Sequence, residues 1–302
     1  MASVHIAVLL NEVVEGLTES KFDVPKRYLD GTLGGAGHAL AMAKAYEGRI
    51  SIIGLDRDPQ AIERAQKILS GQATEVILEN ADFRNLDQIL SKHRVSGVDL
   101  ILLDLGLSSD ELESSGKGFS FQKDEPLLMT MGDPLKYAFT AQNVVNDWAE
   151  ETVADIIFGY GQERFARRIA RAIVNYRNKK RIETTFELAE IVRSAVPSFY
   201  RRGRINPATK TFQALRIAVN DELNALKDGL AKGYAALTDH GRLAVISFHS
   251  LEDRIVKDFY KQQAKVGARI ITKKPISPGD QEITENPRSR SAKLRIIEKH
   301  LI

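Results

Sequence analysis

Nine consecutive residues, Asp30-Gly31-Thr32-Leu33-Gly34-Gly35-Ala36-Gly37-His38, bring together a carboxylate, four glycines and an imidazole. They follow a short apolar stretch, Arg27-Tyr28-Leu29, that reads as a buried strand, and they precede Ala39 to Lys44, which reads as a helix. Glycine lets backbone pass close to a ligand and tolerates positive φ, and a helix start offers unpaired N–H groups. A turn of this kind is where α/β proteins bind nucleotides. A P-loop needs Gly-x-x-x-x-Gly-Lys-Ser/Thr, but Gly116-Lys117 is followed by Gly118 and has no strand before it. The dinucleotide pattern Gly-x-Gly-x-x-Gly would begin at Gly35 and finds Leu40 in its third glycine position. What remains is a carboxylate-and-glycine turn of the kind used for S-adenosylmethionine (SAM), whose sulfonium and amino groups are cationic. Asp30 suits such a ligand and would repel a phosphate. A turn that only reverses the chain is the alternative.

The elements that position this turn repeat. Arg49 to Leu55 reads as a strand ending at Asp56, with a helix from Pro59 to Ser70. Glu75 to Glu79 leads to Asp82 and Phe83, and Val98 to Leu103 leads to Asp104 and Gly106. Asp30, Asp56, Asp82 and Asp104 are therefore expected in step at the carboxyl-terminal strand ends, the edge on which open parallel sheets bind ligands. Gly34 and Asp82 join the candidate cofactor residues on this ground, and Asp56 is placed to receive ribose hydroxyls. Each aspartate on its own could equally be a helix cap. His5 to Thr18 has helical spacing and reads as a packing helix.

After Ser108 the strand rhythm stops. Val144 to Phe158, Gln162 to Asn178 and Thr185 to Ala195 carry apolar residues at helical spacing, which predicts an inserted helical subdomain over 110–209 within an α/β domain of 1–109 and 210–302. From Arg164 to Lys210 there are thirteen basic residues against three acids, although the net charge of the chain is only +3. Arg164, Arg168, Arg201, Arg202 and Arg204 are the candidate phosphate contacts, with a solvated face as the plain alternative. A long helix is expected from Lys210 to Leu230. Its second stripe, Gln213, Arg216 and Asn220, either ties the fold together or lines a substrate cleft. Gly241 to Phe248 returns the chain to the sheet; His249 then stands at the ligand edge and Ser250 reads as a helix cap. Arg288 and Arg290, in the loop before a last strand from Ala292 to Glu298, are further candidates for phosphate.

At 302 residues and 43% hydrophobic content the chain can bury a large core. It has no apolar run of about 18 residues and no signal-like amino terminus, so a cytoplasmic protein with no membrane role is expected. Cysteine is absent, which removes disulfides, thiolate metal sites and thiol nucleophiles. No residues are assigned to a metal.

Several longer blocks carry a resemblance. Asp30 to Gly34, Asp104 to Ser109, Gly118 to Phe121, Pro207 to Asn220, Ser247 to Arg254 and Asn286 to Arg295 closely resemble the RsmH (MraW) family of bacterial 16S ribosomal RNA cytosine-N4 methyltransferases, in order and over nearly the whole chain. The resemblance implies a class I SAM-dependent methyltransferase, with a Rossmann-like, mostly parallel twisted sheet and an all-helical insert for substrate recognition. It implies 16S rRNA within the small ribosomal subunit as partner, a decoding-centre cytidine as target, and a monomer or homodimer. Carried onto this chain, the family's cofactor contacts fall on Ala36, Gly37, His38, Asp56, Phe83 and Asp104, and on Glu111 where the family has glutamine. Lys117, Leu128 and Thr130 also depart from the family pattern.

Methylation of an exocyclic amine needs alignment and an acceptor for the N–H, because the lone pair is delocalised into the ring. Asp104 or a neighbouring group is the expected acceptor, with His249 and Asn220 orienting the base. The missing cysteine excludes a covalent route through carbon 5. Two rivals remain: a nicotinamide dehydrogenase, and a non-catalytic RNA-binding assembly factor.

Overall fold

The computed structural model describes residues 7–18, 26–107, 112 and 115–301. The chain divides into two compact units, Met1–Ser108 with Leu223–Ile302, and Ser109–Glu222.

The first unit holds seven strands: β1 (Lys26–Asp30), β2 (Ile50–Asp56), β3 (Glu75–Asn80), β4 (Val98–Asp104), β5 (Leu237–Ser247), β6 (Arg269–Ile270) and β7 (Lys293–Glu298). They form one sheet in the order β3-β2-β1-β4-β5-β7-β6. The first five run parallel, and β7 is antiparallel to both β5 and β6. The near-continuous apolar runs in β2 and β4 follow from burial on both faces. Successive side chains go to opposite sides, so Tyr28, Ile52, Leu100 and Leu102 enter one core while Leu29, Ile53, Ile101 and Leu103 enter the other. The strand order reverses beside β1, which puts the glycine turn at the switch point of the sheet. The α/β sheet with a helical insert is thus the architecture expected from the sequence.

Pairing register corrects one expectation. Asp30 lies opposite Gly54 and Leu102, two residues short of Asp56 and Asp104. Asp82 comes two residues after Asn80, the partner of Asp56. The four aspartates are therefore staggered, and Asp30 sits about 7 Å deeper than Asp56 and Asp104 along the strand direction.

The second unit is helical. The expected helix over 144–158 is two, Ala141–Asp147 and Glu150–Gly159, separated at Trp148, which is extended and packs its ring 4.7 Å from Phe139. The expected helix over 162–178 begins only at Ala166. The expected helix over 210–230 is also two, Ala208–Asn220 and Glu222–Ala236, because Asp221 adopts φ 49°, ψ 40° and stops the first. The helix Ala208–Asn220 packs on Ala141–Asp147, Glu150–Gly159 and Thr185–Ala195, so the unit boundary falls at Glu222 and not at 209.

Gly118 has φ +73°, and a Cβ there would collide with the Pro126 carbonyl oxygen and lie 3.0 Å from Thr185 Cγ2. Gly118→Ala is expected to destabilise the helical unit by about 2 to 4 kcal/mol, the combined cost of positive φ and overpacking. Trp148, the single tryptophan of the chain, lies in that unit and reports it: its fluorescence midpoint in urea should fall.

Candidate functional site

The site begins with the way the glycine turn is fastened across the strand ends. Gly31 N–H donates to Leu102 O (2.9 Å), Leu33 N–H to Leu55 O (2.9 Å) and Gly34 N–H to the Asp56 carboxylate (2.7 Å). Asp104 N–H donates to Thr32 Oγ (2.6 Å). Gly34 (φ +49°) and Ala36 (φ 58°) supply the left-handed steps that aim the helix Gly37–Ala45.

Asp30 is buried beneath this turn. Its carboxylate accepts the Tyr28 hydroxyl (3.0 Å) and Thr32 N–H (3.2 Å), and burial raises its pKa to about 6. Asp104 accepts Gly106 N–H (3.2 Å), and its other oxygen lies 4.0 Å from His38 Nδ1. His38 is itself buried, which lowers its pKa, and its Nε2 is 2.9 Å from Val8 O. A neutral ring that donates from Nε2 turns the lone pair of Nδ1 toward the site. Gly37 is packed against the same segment, since a Cβ there would lie 3.1 Å from Ala7. Asp56 accepts one backbone N–H on each oxygen, from Gly34 and from Asp58 (2.8 Å), and burial raises its pKa too. A carboxylate oxygen has a second lone pair, so both can still receive ribose hydroxyls.

Not every expected residue is free for a ligand. Asp82 accepts Arg84 N–H at the start of a 3-10 turn and pairs with Arg57 and Arg84. It is a helix cap held by cations, the alternative that the sequence set beside a cofactor role. Phe83 packs its ring on Gly229, where a Cβ would lie 2.5 Å from it. Glu111 lies outside the described residues. Ser250 is not the cap expected: His249 is, with Nδ1 accepting Glu252 N–H (3.3 Å) while the Glu252 carboxylate takes the N–H groups of Phe248 and His249. His249 thus has one ring nitrogen committed to the helix, and Phe248 beside it packs on Gly106, where a Cβ would meet the ring at 2.8 Å.

In the helical unit the polar stripe proves to be a tie. Asn220 donates both amide hydrogens, to Met129 O (2.7 Å) and Arg216 O (2.9 Å), and accepts Met131 N–H (2.9 Å). Gln213 donates to Tyr160 O (3.0 Å), and Arg216 makes two 2.9 Å bonds to Glu222. These bonds give Asn220, Gln213 and Arg216 the tying role that the sequence set beside a substrate cleft. The departures at 117 and 130 are structural as well, because Lys117 Nζ (2.9 Å) and Thr130 Oγ (3.4 Å) both donate to Gly132 O.

The basic residues divide into two groups. Arg171, Lys180, Arg181 and Arg193 pair with acids of their own unit, and Arg177 donates to Val145 O. Arg167, Arg168, Arg202 and Arg204 are exposed and form no ion pair among the described residues. Arg288 and Arg290 are exposed on the 3-10 turn Pro287–Ser291 of the first unit. Sequence reasoning missed Tyr28, Thr32 and Glu163. Tyr28 was detectable as a hydroxyl two residues before Asp30 on the same strand face. Buried Glu163 carried no signal in its spacing.

The model of the MraW methylase family matches residues 2–300. The ribosomal RNA small subunit methyltransferase H of Heliobacterium modesticaldum is 44% identical over 98% of both chains. That of Persephonella marina is 47% identical, covering 98% of this chain and 99% of its own. A crystal structure described as a putative rRNA-methylase from Clostridium thermocellum aligns with TM-score 0.48 and 13% identity, covering 98% of this chain and 100% of that one.

Asp30 generates a pH prediction. Its folded pKa of about 6 lies above the ordinary 3.8, so between these values the unfolded chain ionises first and stability falls as pH rises. Asp30→Asn, which can keep the Tyr28 and Thr32 contacts, should remove that loss, worth up to about 3 kcal/mol. Urea unfolding of both proteins at pH 4 and pH 7 checks it: the gap between variant and wild type should widen toward pH 7.

Proposed function

We propose that this chain, which belongs to the MraW methylase family, methylates small-subunit ribosomal RNA with SAM as donor, on the exocyclic amine of a decoding-centre cytidine. The observation that carries the reading is the pair of carboxylates at the switch point of the sheet, Asp30 buried beneath the glycine turn and Asp56 part-buried beside it, with the pKa of each raised mainly by desolvation. A cationic ligand on this edge relieves that penalty, whereas a pyrophosphate adds to it. The glycines fit as well. A Cβ on Gly31 would lie 2.5 Å from Leu103 Cδ2, and one on Gly106 would lie 2.8 Å from the Phe248 ring and 3.3 Å from Asp104 Oδ1, so both glycines let the backbone pack closely around the carboxylates of this edge.

SAM, when bound, supplies an electrophilic methyl carbon on its sulfonium. The protein's part is alignment and management of one proton. Asp56 receives the ribose hydroxyls, and the turn from Gly34 to His38 forms the wall beside them. Asp104, oriented by Gly106 N–H and anchored through Thr32, accepts the amine hydrogen and takes the proton as nitrogen commits its lone pair. His249 and Phe248 set the wall next to Asp104, with the His249 ring fixed by its cap bond. Recognition of RNA falls to the exposed arginines of the helical unit, with Arg288 and Arg290 as further phosphate contacts.

Asp104→Asn keeps the shape and the bond to Gly106 while removing the proton acceptor. It is expected to lower kcat by about 10²- to 10⁴-fold with SAM binding changed far less. The assay is transfer from labelled SAM to small ribosomal subunits that lack the modification, followed by nucleoside analysis for N4-methylcytidine. Label on another nucleoside rejects the cytidine assignment. No label with the wild-type protein, together with binding of the subunit, selects the assembly-factor reading.

A further inference from the structure

Within the helical unit one group of side chains is neither core nor ordinary surface. Glu163 is fully buried; one carboxylate oxygen accepts Phe165 N–H (2.9 Å) and the other accepts the Tyr200 hydroxyl (2.6 Å). Burial, together with that bond, pushes the tyrosine up to about 12, so it remains a donor at any physiological pH. Tyr200 in turn lies edge-on to Phe165 with ring centroids 5.0 Å apart, and Phe199 lies edge-on to Phe165 at 6.4 Å. The Arg164 guanidinium sits over all three rings, at 4.8, 5.0 and 5.7 Å from the centroids of Phe165, Tyr200 and Phe199.

The arrangement holds the Arg164 guanidinium among three rings with no ion pair to a carboxylate among the described residues, and it leaves Phe199 65% exposed. Exposure of a phenylalanine runs against the burial of apolar surface, and Phe165 and Arg164 cover this ring only in part. Immediately after it come Arg201, Arg202 and Arg204, all exposed, with Arg202 and Arg204 outside any ion pair among the described residues. A π-face, a guanidinium plane and adjacent cations are the parts that bind single-stranded RNA: bases stack on the first two and phosphates meet the third. The solvated-face alternative explains the arginines but not the aromatic cage, because solvation alone needs no buried glutamate to fix a tyrosine beneath an arginine.

We propose that Phe199 and Arg164 form a stacking platform for one unpaired RNA base, with Arg202 and Arg204 holding the phosphates next to it. Glu163 is a positioning residue that acts through Tyr200. The proposal rests on the reading of the chain as an RNA methyltransferase, and it adds to it a subsite that reads single-strandedness and not base identity, since every base has a π-face.

The test uses the full-length protein and single-stranded oligoribonucleotides of small-subunit sequence, each with 2-aminopurine at one position. With wild type, one position should lose fluorescence on binding, as a stacked base does. Phe199→Ala should abolish that quenching and weaken binding roughly fivefold to hundredfold. Phe199→Trp should restore both, which distinguishes stacking from loss of bulk. Arg202→Ala should instead reduce the salt dependence of binding by about 0.7 in log–log slope. Glu163→Gln should weaken quenching without changing that slope, with the thermal midpoint recorded to confirm folding. Phe199→Ala binding and quenching like wild type overturns the platform, as does rescue by Phe199→Leu equal to that by tryptophan. Methyl transfer to small subunits is measured in parallel. If wild type transfers no methyl group, the functional reading fails by itself, while the fluorescence arm still decides the platform.

Discussion

The first unit depends on one constraint: the backbone after β1 must run within hydrogen-bonding distance of both neighbouring strands. Gly31 bonds to β4, Leu33 bonds to β2, and Asp104 N–H reaches back to Thr32. A side chain at residue 31 would push this crossing apart, because its Cβ would lie 2.5 Å from Leu103 Cδ2 and 3.0 Å from Phe83 Cβ. The same approach explains why Asp30 is buried. Once the turn lies down over the strand ends, the carboxylate beneath it loses water and keeps only the Tyr28 hydroxyl and Thr32 N–H. Each of those bonds favours the ionised form, yet the desolvation exceeds them, as the upward shift of Asp30 shows. Chain path, burial and electrostatics at the site thus have a single cause.

Much of this is legible in residue order. The parallel strands stand out as unbroken apolar runs ending in aspartate, and the glycine spacing by itself argues against phosphate ligands. The depth of each aspartate is not legible there. Depth depends on which residue pairs with which across strands, and β1 ends at Asp30 opposite Gly54 while β2 continues to Asp56. Four carboxylates that look equivalent along the chain therefore separate into a buried one, two partly exposed ones and one that caps a turn. Asp82 belongs to the last kind because Arg57 and Arg84 approach it from positions whose spacing does not mark them as its partners.

Helix ends are not legible in residue order either, for a physical reason. An apolar stripe reports which face is buried and says little about where the backbone stops. The stripe through Phe212, Leu215, Val219 and Leu226 continues past Asp221, although φ there is 49° and the helix ends. The same confusion affected the polar stripe. Gln213, Arg216 and Asn220 share a face, and a shared face is compatible with a ligand or with neighbouring carbonyls. The hydrogen bonds of Asn220 to Met129 and Met131 show the second for that residue. His249 and Ser250 illustrate it at one-residue resolution: either can cap a helix, and the Glu252 N–H bonds to His249 Nδ1.

Local charge excess is a coarser signal than the partners of each charge. A count of thirteen basic residues against three acids from Arg164 to Lys210 suggests one continuous basic face. Several of those cations are engaged by acids brought close by folding, including Glu150 and Asp147, which lie outside the counted stretch. What survives is narrower and chemically more specific: Arg167 and Arg168 on one helix, Arg202 and Arg204 in one loop, and Arg164 held over aromatic rings. A diffuse positive face attracts any polyanion and carries no geometry. A cation held among aromatic rings is a more specific chemistry, because π-faces stack on bases that are out of a helix and do not reach those that are in one.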